Sequence, residues 1–289
     1  MPKPWMIRYG STEFEFSDES GIFIRSFPSI SSFEIRDQDT AIPGNDGDRM
    51  GVDTHGGRTL GISFGVDGAD EDEARARRAR LESLWMATEV RRVGGAVAEL
   101  VDLTTGRYAI GRPREIANQS VRLHDLPPGY DVEANFRTLT PVWYDPAGVV
   151  SLPLASDPTG GFVFPLRFPM VIRGYTARQG GFVVGGSEGT WPVIRIPGPI
   201  VNPIVSVPDA FTFGVATSLA YDEWIDIDTR PGLRSVTRNG TTVQRLTRAS
   251  TPLQSSELLP GAHQFVFSGS SPSGNPAATL QWSNAHPIT

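Results

Sequence analysis

Apolar and polar residues alternate with period two through much of the chain. Phe14 and Phe16 flank Glu15, and Ile22 and Ile24 flank Phe23. Ile225 and Ile227 point one way while Asp226 and Asp228 point the other. Such alternation marks half-buried strands. It predicts short strands over 5–9, 13–16, 22–27, 32–36, 60–66, 98–102, 108–112 and 130–139. A second series follows over 162–168, 181–184, 193–196, 203–207, 211–217, 223–229, 264–268 and 277–282. Phe211, Phe213 and Val215 share one face, as do Ala278, Leu280 and Trp282, and these are core candidates. Asn239-Gly240 closes a hairpin, because both central residues of a type I′ turn need positive φ. Pro192, Pro197, Pro199 and Pro203 cannot donate to a ladder, so they fall at strand starts, edges or corners.

One segment departs from period two. Asp70-Glu71-Asp72-Glu73 opens a helix predicted to run to about Thr88, before Gly94-Gly95. Asp70 and Glu73 have capping-box spacing. Acid first and Arg75, Arg77, Arg78 and Arg80 later complement the helix dipole. Glu71–Arg75 and Glu73–Arg77 stand four apart in the better orientation. Ala74, Leu81, Leu84 and Trp85 supply the apolar stripe, which is expected to lie against the sheet of the flanking strands.

Two breaks organise the rest. The polar, glycine-rich stretch 42–58 is too long for a plain turn and reads as a protruding loop. Its candidate contact residues are Asp46, Asp48, Arg49, Asp53, His55 and Arg58. Glycine gives such a loop backbone freedom, and these side chains offer specific polar contacts. Pro141-Val-Trp-Tyr-Asp-Pro146 interrupts the strand pattern and is the best domain boundary, giving one domain over 1–145 and a β-sandwich over 146–289.

Composition narrows the function classes. The chain has 289 residues, room for about two domains, and a formal net charge of -6. That balance argues against a dedicated nucleic-acid binder, which needs a concentrated basic face. There is no cysteine, so disulfides and thiolate zinc sites are excluded. The N-terminus lacks a signal-peptide pattern, and no apolar run approaches the roughly 18 residues of a membrane span. A soluble protein made in the cytoplasm is expected. Lys3 is the one lysine, and a GC-rich genome accounts for the arginine preference more simply than a functional need does.

No residue set looks catalytic. Gly185 to Gly189 spells a nucleophile-elbow string around Ser187, but Thr190-Trp191-Pro192 follows where a helix is required. Asn45, Asp46, Asp48 and Asp53 match no calcium-loop spacing, so a solvated turn is the simpler reading. His55, His124, His263 and His286 are scattered and unsuited to zinc. Asp226 and Asp228 reach a glycosidase-like separation only because any i,i+2 pair on a strand does. Trp143, Trp191, Trp224 and Tyr144 are suited to stacking on sugars, although aromatics in sandwiches more often pack in the core. No metal and no cofactor is expected.

Several ordered features resemble those of siphophage distal tail proteins, the ring proteins at the tip of long non-contractile tails. In the first half these are the strands, the glycine-rich loop, the acid-led helix, the Leu-Val-Asp-Leu-Thr-Thr-Gly-Arg hairpin and the closing Pro-Val-Trp-Tyr-Asp-Pro. In the second half they are Trp-Pro-Val-Ile-Arg-Ile-Pro-Gly-Pro with Asn202-Pro203, then Ile-Asp-Ile-Asp-Thr, Val-Thr-Arg-Asn-Gly and Leu259-Pro260-Gly261. The resemblance implies a mainly β chain: a split-barrel-like ring domain with one helix, then a galectin-like β-sandwich. It implies a structural role without enzymatic activity, in a homohexameric ring joining the tail tube to the tip or baseplate. The implied partners are further copies of the chain, the tail-tube protein and the tail-tip hub or tail-associated protein. Tape-measure and receptor-binding proteins are further candidates. Nucleic acid and membrane are not among them, and the location is the tail tip of the virion. A carbohydrate-binding module is the alternative from another class, and a glycan hydrolase is a third.

Overall fold

The computed structural model describes residues 3–31, 34–122, 127–154, 179–271 and 274–288. The predicted strand at 162–168, the start of that at 32–36, and His124 lie outside these. The chain is mainly β and divides into two compact units, Met1–Pro146 with His286–Thr289, and Ala147–Ala285.

The first unit is built on one antiparallel sheet. Its strand order is Thr12–Phe16, Trp5–Tyr9, Ala98–Asp102, Tyr108–Arg122, Gly129–Thr138, Thr59–Asp67 and Ile22–Ile30. An isolated bridge between Ser17 and Ile22 brings the two ends of this order back together, so the sheet curls toward closure. Curling shields the edges that an open sheet would leave unpaired. Val142–Tyr144 pairs with the start of Tyr108–Arg122, and the last strand, Ala285–Pro287, pairs with Val142–Tyr144. Ile288 is buried in this unit's core, and its N–H donates to the Pro141 carbonyl (3.0 Å).

The helix Glu71–Met86 forms as its sequence dictates. The Asp70 carboxylate accepts from the Glu73 N–H (2.8 Å), and Glu73 accepts from the Ala69 N–H (2.7 Å). Both four-apart pairs close at 2.8 Å. Ala74, Leu81 and Trp85 are buried. The Trp85 ring meets Phe64 (5.2 Å) and Phe136 (6.5 Å), and its Nε1 donates to the Glu115 carbonyl (3.1 Å). The helix stops earlier than predicted, because Ala87 turns left-handed (φ 40°) and starts a short second helix, Thr88–Arg91.

The predicted strand at 108–112 continues to Arg122. Pro113 stays in register opposite Phe136, and a bulge follows it before Ile116.

The second unit is a two-sheet sandwich. One sheet runs Gly148–Pro153, Ala277–Trp282, Val193–Pro197, Trp224–Asp228, Ser235–Arg238 and Thr242–Val243. The other runs Gln179–Val184, Gly261–Ser270, Ile200–Val207 and Phe211–Gly214, with Ser218–Leu219 beside Ile200–Val207. The core draws on both sheets: Ile194, Ile225, Ile227 and Leu280 from one, and Phe213, Phe265 and Phe267 from the other. Phe211, Val215 and Ala278 are buried as expected, while Trp282 is partly exposed. The chain crosses between the sheets at Pro197–Pro199, with a cis Gly198–Pro199 bond. Asn239 and Gly240 take φ of 53° and 75°, as the turn requires.

Candidate functional site

The most exposed described feature of the first unit is a narrow β-arm between the strands Ile22–Ile30 and Thr59–Asp67. Ile35–Arg36 pairs with Thr54–His55, and further out Thr40–Ala41 pairs with Asp48–Arg49. The Ile42 N–H donates to the Gly47 carbonyl across the tip (3.2 Å), and the Asp39 carboxylate accepts from the Gly51 N–H (2.8 Å). Every residue from Glu34 to His55 is exposed. The stretch 42–58 is therefore the tip and returning leg of a hairpin and not a loop without strands. The outgoing leg was not legible because neither leg alternates: with no core beneath it, neither face has to be apolar.

The six candidate residues separate along the arm. Asp46 sits in the tip turn, Asp48 and Arg49 lie in the outer ladder, Asp53 follows, and His55 stands opposite Ile35. Arg58 lies at the root and is half-buried. Its Nε donates to the Ser31 carbonyl (2.9 Å), and its N–H donates to the Thr138 hydroxyl (2.8 Å). It anchors the arm. Gly57 beside it is obligatory for packing, since a Cβ there would strike the Thr138 carbonyl oxygen.

The arm carries an unusual surface. Met50 and Val52 are 76% and 73% exposed, with Ile35 and Ile42 also in solvent. Between Glu34 and Gly57 there are six acids (Glu34, Asp37, Asp39, Asp46, Asp48, Asp53) and two bases (Arg36, Arg49), a net charge of -4. A two-stranded ribbon is marginal in water on its own.

At the arm's root lies a cavity of about 590 Å³ lined by Thr59, Arg91, Pro113, Arg114, Glu115, Asn135 and Arg137. Arg137 pairs with Glu34 (3.6 Å) and donates to the Thr59 hydroxyl (3.3 Å). Glu115 is engaged by the Asn135 amide (2.9 Å). Arg91 and Arg114 are exposed and have no ion-pair partner among the described residues. Sequence reading missed this cluster because its arginines come from a short helix and two paired strands. Only the strand register brings Arg114 and Arg137 to one place.

The outer face of the sandwich has a polar cavity of about 400 Å³ lined by Arg195, Asp226, Asp228, Ser235, Thr279 and Gln281 together with Val193. Arg195 grips Asp226 with two bonds (2.7 and 3.0 Å), and the Trp224 Nε1 donates to the same carboxylate (3.0 Å). The Asp226 hydrogen bond raises the Arg195 pKa above its ordinary value. The Arg195 guanidinium also stands 5.5 Å from the Trp224 ring centroid, occupying a face on which a sugar would stack. Arg230 clasps Asp228 (2.7 Å). Both carboxylates are thus ion-paired.

The remaining candidates do not converge. The Ser187 N–H donates to the Ala285 carbonyl (3.1 Å) in a bridged segment with no helix after it. The His263 Nε2 lies 2.7 Å from the Leu259 carbonyl, and its ring packs on Phe182. His286 pairs with Asp145 (2.9 Å). Trp143 packs against Trp5 (5.8 Å). Among the described residues no three His, Asp or Glu side chains gather as metal ligands, and no helix is long and apolar enough to cross a membrane.

No protein-family model and no curated protein matches the chain. Solved structures do. One is the Dit protein (gp 19.1) of phage SPP1, a paradigm of the hub adsorption apparatus of phages infecting Gram-positive bacteria. It is 14% identical over 97% of this chain and 98% of that one, with a TM-score of 0.53. Another is a chain of the phage P2 baseplate in its activated conformation with calcium, 12% identical over 98% of both chains, with a TM-score of 0.52. The fold of this chain is that of a siphophage distal tail, or baseplate hub, protein.

Proposed function

We propose that the chain is a structural component of a phage tail tip. Copies would form a homohexameric ring that joins the tail tube to the tip or baseplate and to host-attachment proteins. The observation that carries this reading is the likeness of nearly the whole chain, both units in order, to the SPP1 hub protein. The first unit supplies the ring contacts, and the exposed arm, with Asp46, Asp48, Arg49, Asp53 and His55, is ordered by a neighbouring subunit or tail protein. The tail-tube protein and the tail-associated hub protein dock on the ring, and tape-measure and receptor-binding proteins are further partners. The chain has no enzymatic role in this reading, which is supported by the ion pairs that hold Asp226, Asp228 and Asp145 with His286 and by the packing of His263 on Phe182. Native mass spectrometry of the purified chain, alone and with tail-tube protein, tests this: a sixfold species is expected. A monomer at high concentration that also ignores the tube protein would overturn it.

A glycan-binding sandwich is the second reading, favoured by the polar cavity around Asp226 and Asp228. Incubating the protein with host cell-wall polysaccharide separates the two. Saturable binding supports the second reading, and sustained release of reducing ends would make the protein a hydrolase.

A further inference from the structure

The first unit carries two exposed features of opposite charge that meet within the subunit only at the arm's base, where Glu34 pairs with Arg137 (3.6 Å). The arm has a net charge of -4 between Glu34 and Gly57, and the carboxylates of Asp46, Asp48 and Asp53 form no ion pair among the described residues. The cavity at its root sets three arginines, Arg91, Arg114 and Arg137, against the one acid Glu115. The arm cannot fill this cavity in its own subunit. Its ladder pairs Ile35 with His55 and Thr40 with Arg49, which holds it extended. Each leg of about nine residues spans up to roughly 30 Å, so the acidic tip is carried away from the root.

We propose that the arginine cavity is the receptor for the acidic arm of a second copy of this chain. Asp46, Asp48 and Asp53 of one copy engage Arg91, Arg114 and Arg137 of the next. Met50 and Val52, otherwise stranded in water, are covered in the same step. Guanidinium forks suit this task, since each can take a carboxylate by two parallel bonds. Arm and cavity are different patches, so the contact is heterologous: it propagates head to tail and closes into a ring when its rotation permits. The inference rests on the ring reading above and names the contact that builds the ring.

A charge swap on the full-length chain tests it. R91E/R114E alters exposed side chains only and leaves Arg137, which is tied to Glu34 and Thr59, in place. D46R/D48R/D53R reverses the arm. Circular dichroism and thermal unfolding check that both variants fold. Sedimentation velocity should show each variant alone losing the oligomer, with at least a ~100-fold weaker association constant, in keeping with truncated charge pairs in interfaces. Mixing the two variants, or combining all five substitutions in one chain, should restore assembly, because each reversed arm then meets a reversed cavity. Wild-type assembly should also weaken with added salt. Assembly of the wild type with neither variant affected, or loss that neither mixing nor combination rescues, overturns this inference and leaves the ring standing. A wild type that never assembles overturns both. Loss of tail-tube binding by R91E/R114E with self-assembly intact assigns the cavity to that protein and overturns the arm contact.

Discussion

Gly240 separates backbone cost from packing cost. Its φ is 75°, and a Cβ there would meet nothing within 4 Å. Gly240→Ala should therefore cost the left-handed penalty alone, about 1 kcal/mol of sandwich stability in urea unfolding. Gly181→Ala, equally open but without positive φ, should not destabilise. Asp145 is a second informative residue. Burial pushes its carboxyl up, but the hydrogen bonds and charges of His286 and Arg107 outweigh that and hold it below its ordinary value of 3.8. A depressed carboxylate stabilises the folded state fully above its unfolded-state pKa and loses that contribution as pH falls through the folded one. The first unit should thus lose stability below about pH 4. Asp145→Asn should flatten that acid limb while leaving the sandwich's profile unchanged. Asp131 acts in the same direction: burial raises it, and Ser120, Arg25 and Arg122 together lower it further than burial raises it. Some acid sensitivity should therefore survive the substitution.

At the scale of elements, the helix and the arm represent opposite cases. The helix was legible because each of its signals is local: the Asp70 cap, the four-apart ion pairs and the buried Ala74, Leu81 and Trp85 lie within one stretch of sequence. Asp70→Ala should cost about 1 kcal/mol, read as a lower midpoint in denaturant. The sandwich strand Trp224–Asp228 was legible for the same reason, since its alternation reports one buried face, whereas the edge strand Gly148–Pro153 was not predicted. The arm was half legible. Its glycines marked the tip and returning leg, but Ile35 and Thr40 carry no signal that they pair with His55 and Arg49. The arginine cavity was not legible at all, because Arg91, Arg114 and Arg137 meet only through a bulged register. Since every residue from 35 to 55 is exposed in the subunit, replacing 37–52 by a short glycine turn should leave the thermal midpoint of the monomer nearly unchanged. Tail assembly should fail. Normal assembly of virions with this deletion would make the arm a spacer.

At the scale of the whole molecule, the two units make opposite demands on the chain's last residues. The described strands of both sandwich sheets, the Asn239-Gly240 hairpin and the core residues they bury lie within Ala147–Ala285. That segment should fold when expressed alone, with cooperative unfolding and well-dispersed amide protons. An aggregating fragment would mean that its sheets need more than their own strands. The first unit, by contrast, is not complete at Pro146. Ile288 is 1% exposed within its core, and the adjoining strand pairs with Val142–Tyr144. Sequence reading assigned these last residues to the sandwich because they follow its final strand, and nothing in their composition records which core they enter. Ile288→Ala removes a side chain that is fully buried in the first unit's core, and such truncations cost about 2–5 kcal/mol. Calorimetry of the full chain should resolve the consequence. The transition assigned to the first unit should move down, although the substitution is more than 140 residues from the boundary at Pro146. The transition shared with the Ala147–Ala285 fragment should stay where it is. A shift of that second transition instead would mean that Ile288 serves the sandwich.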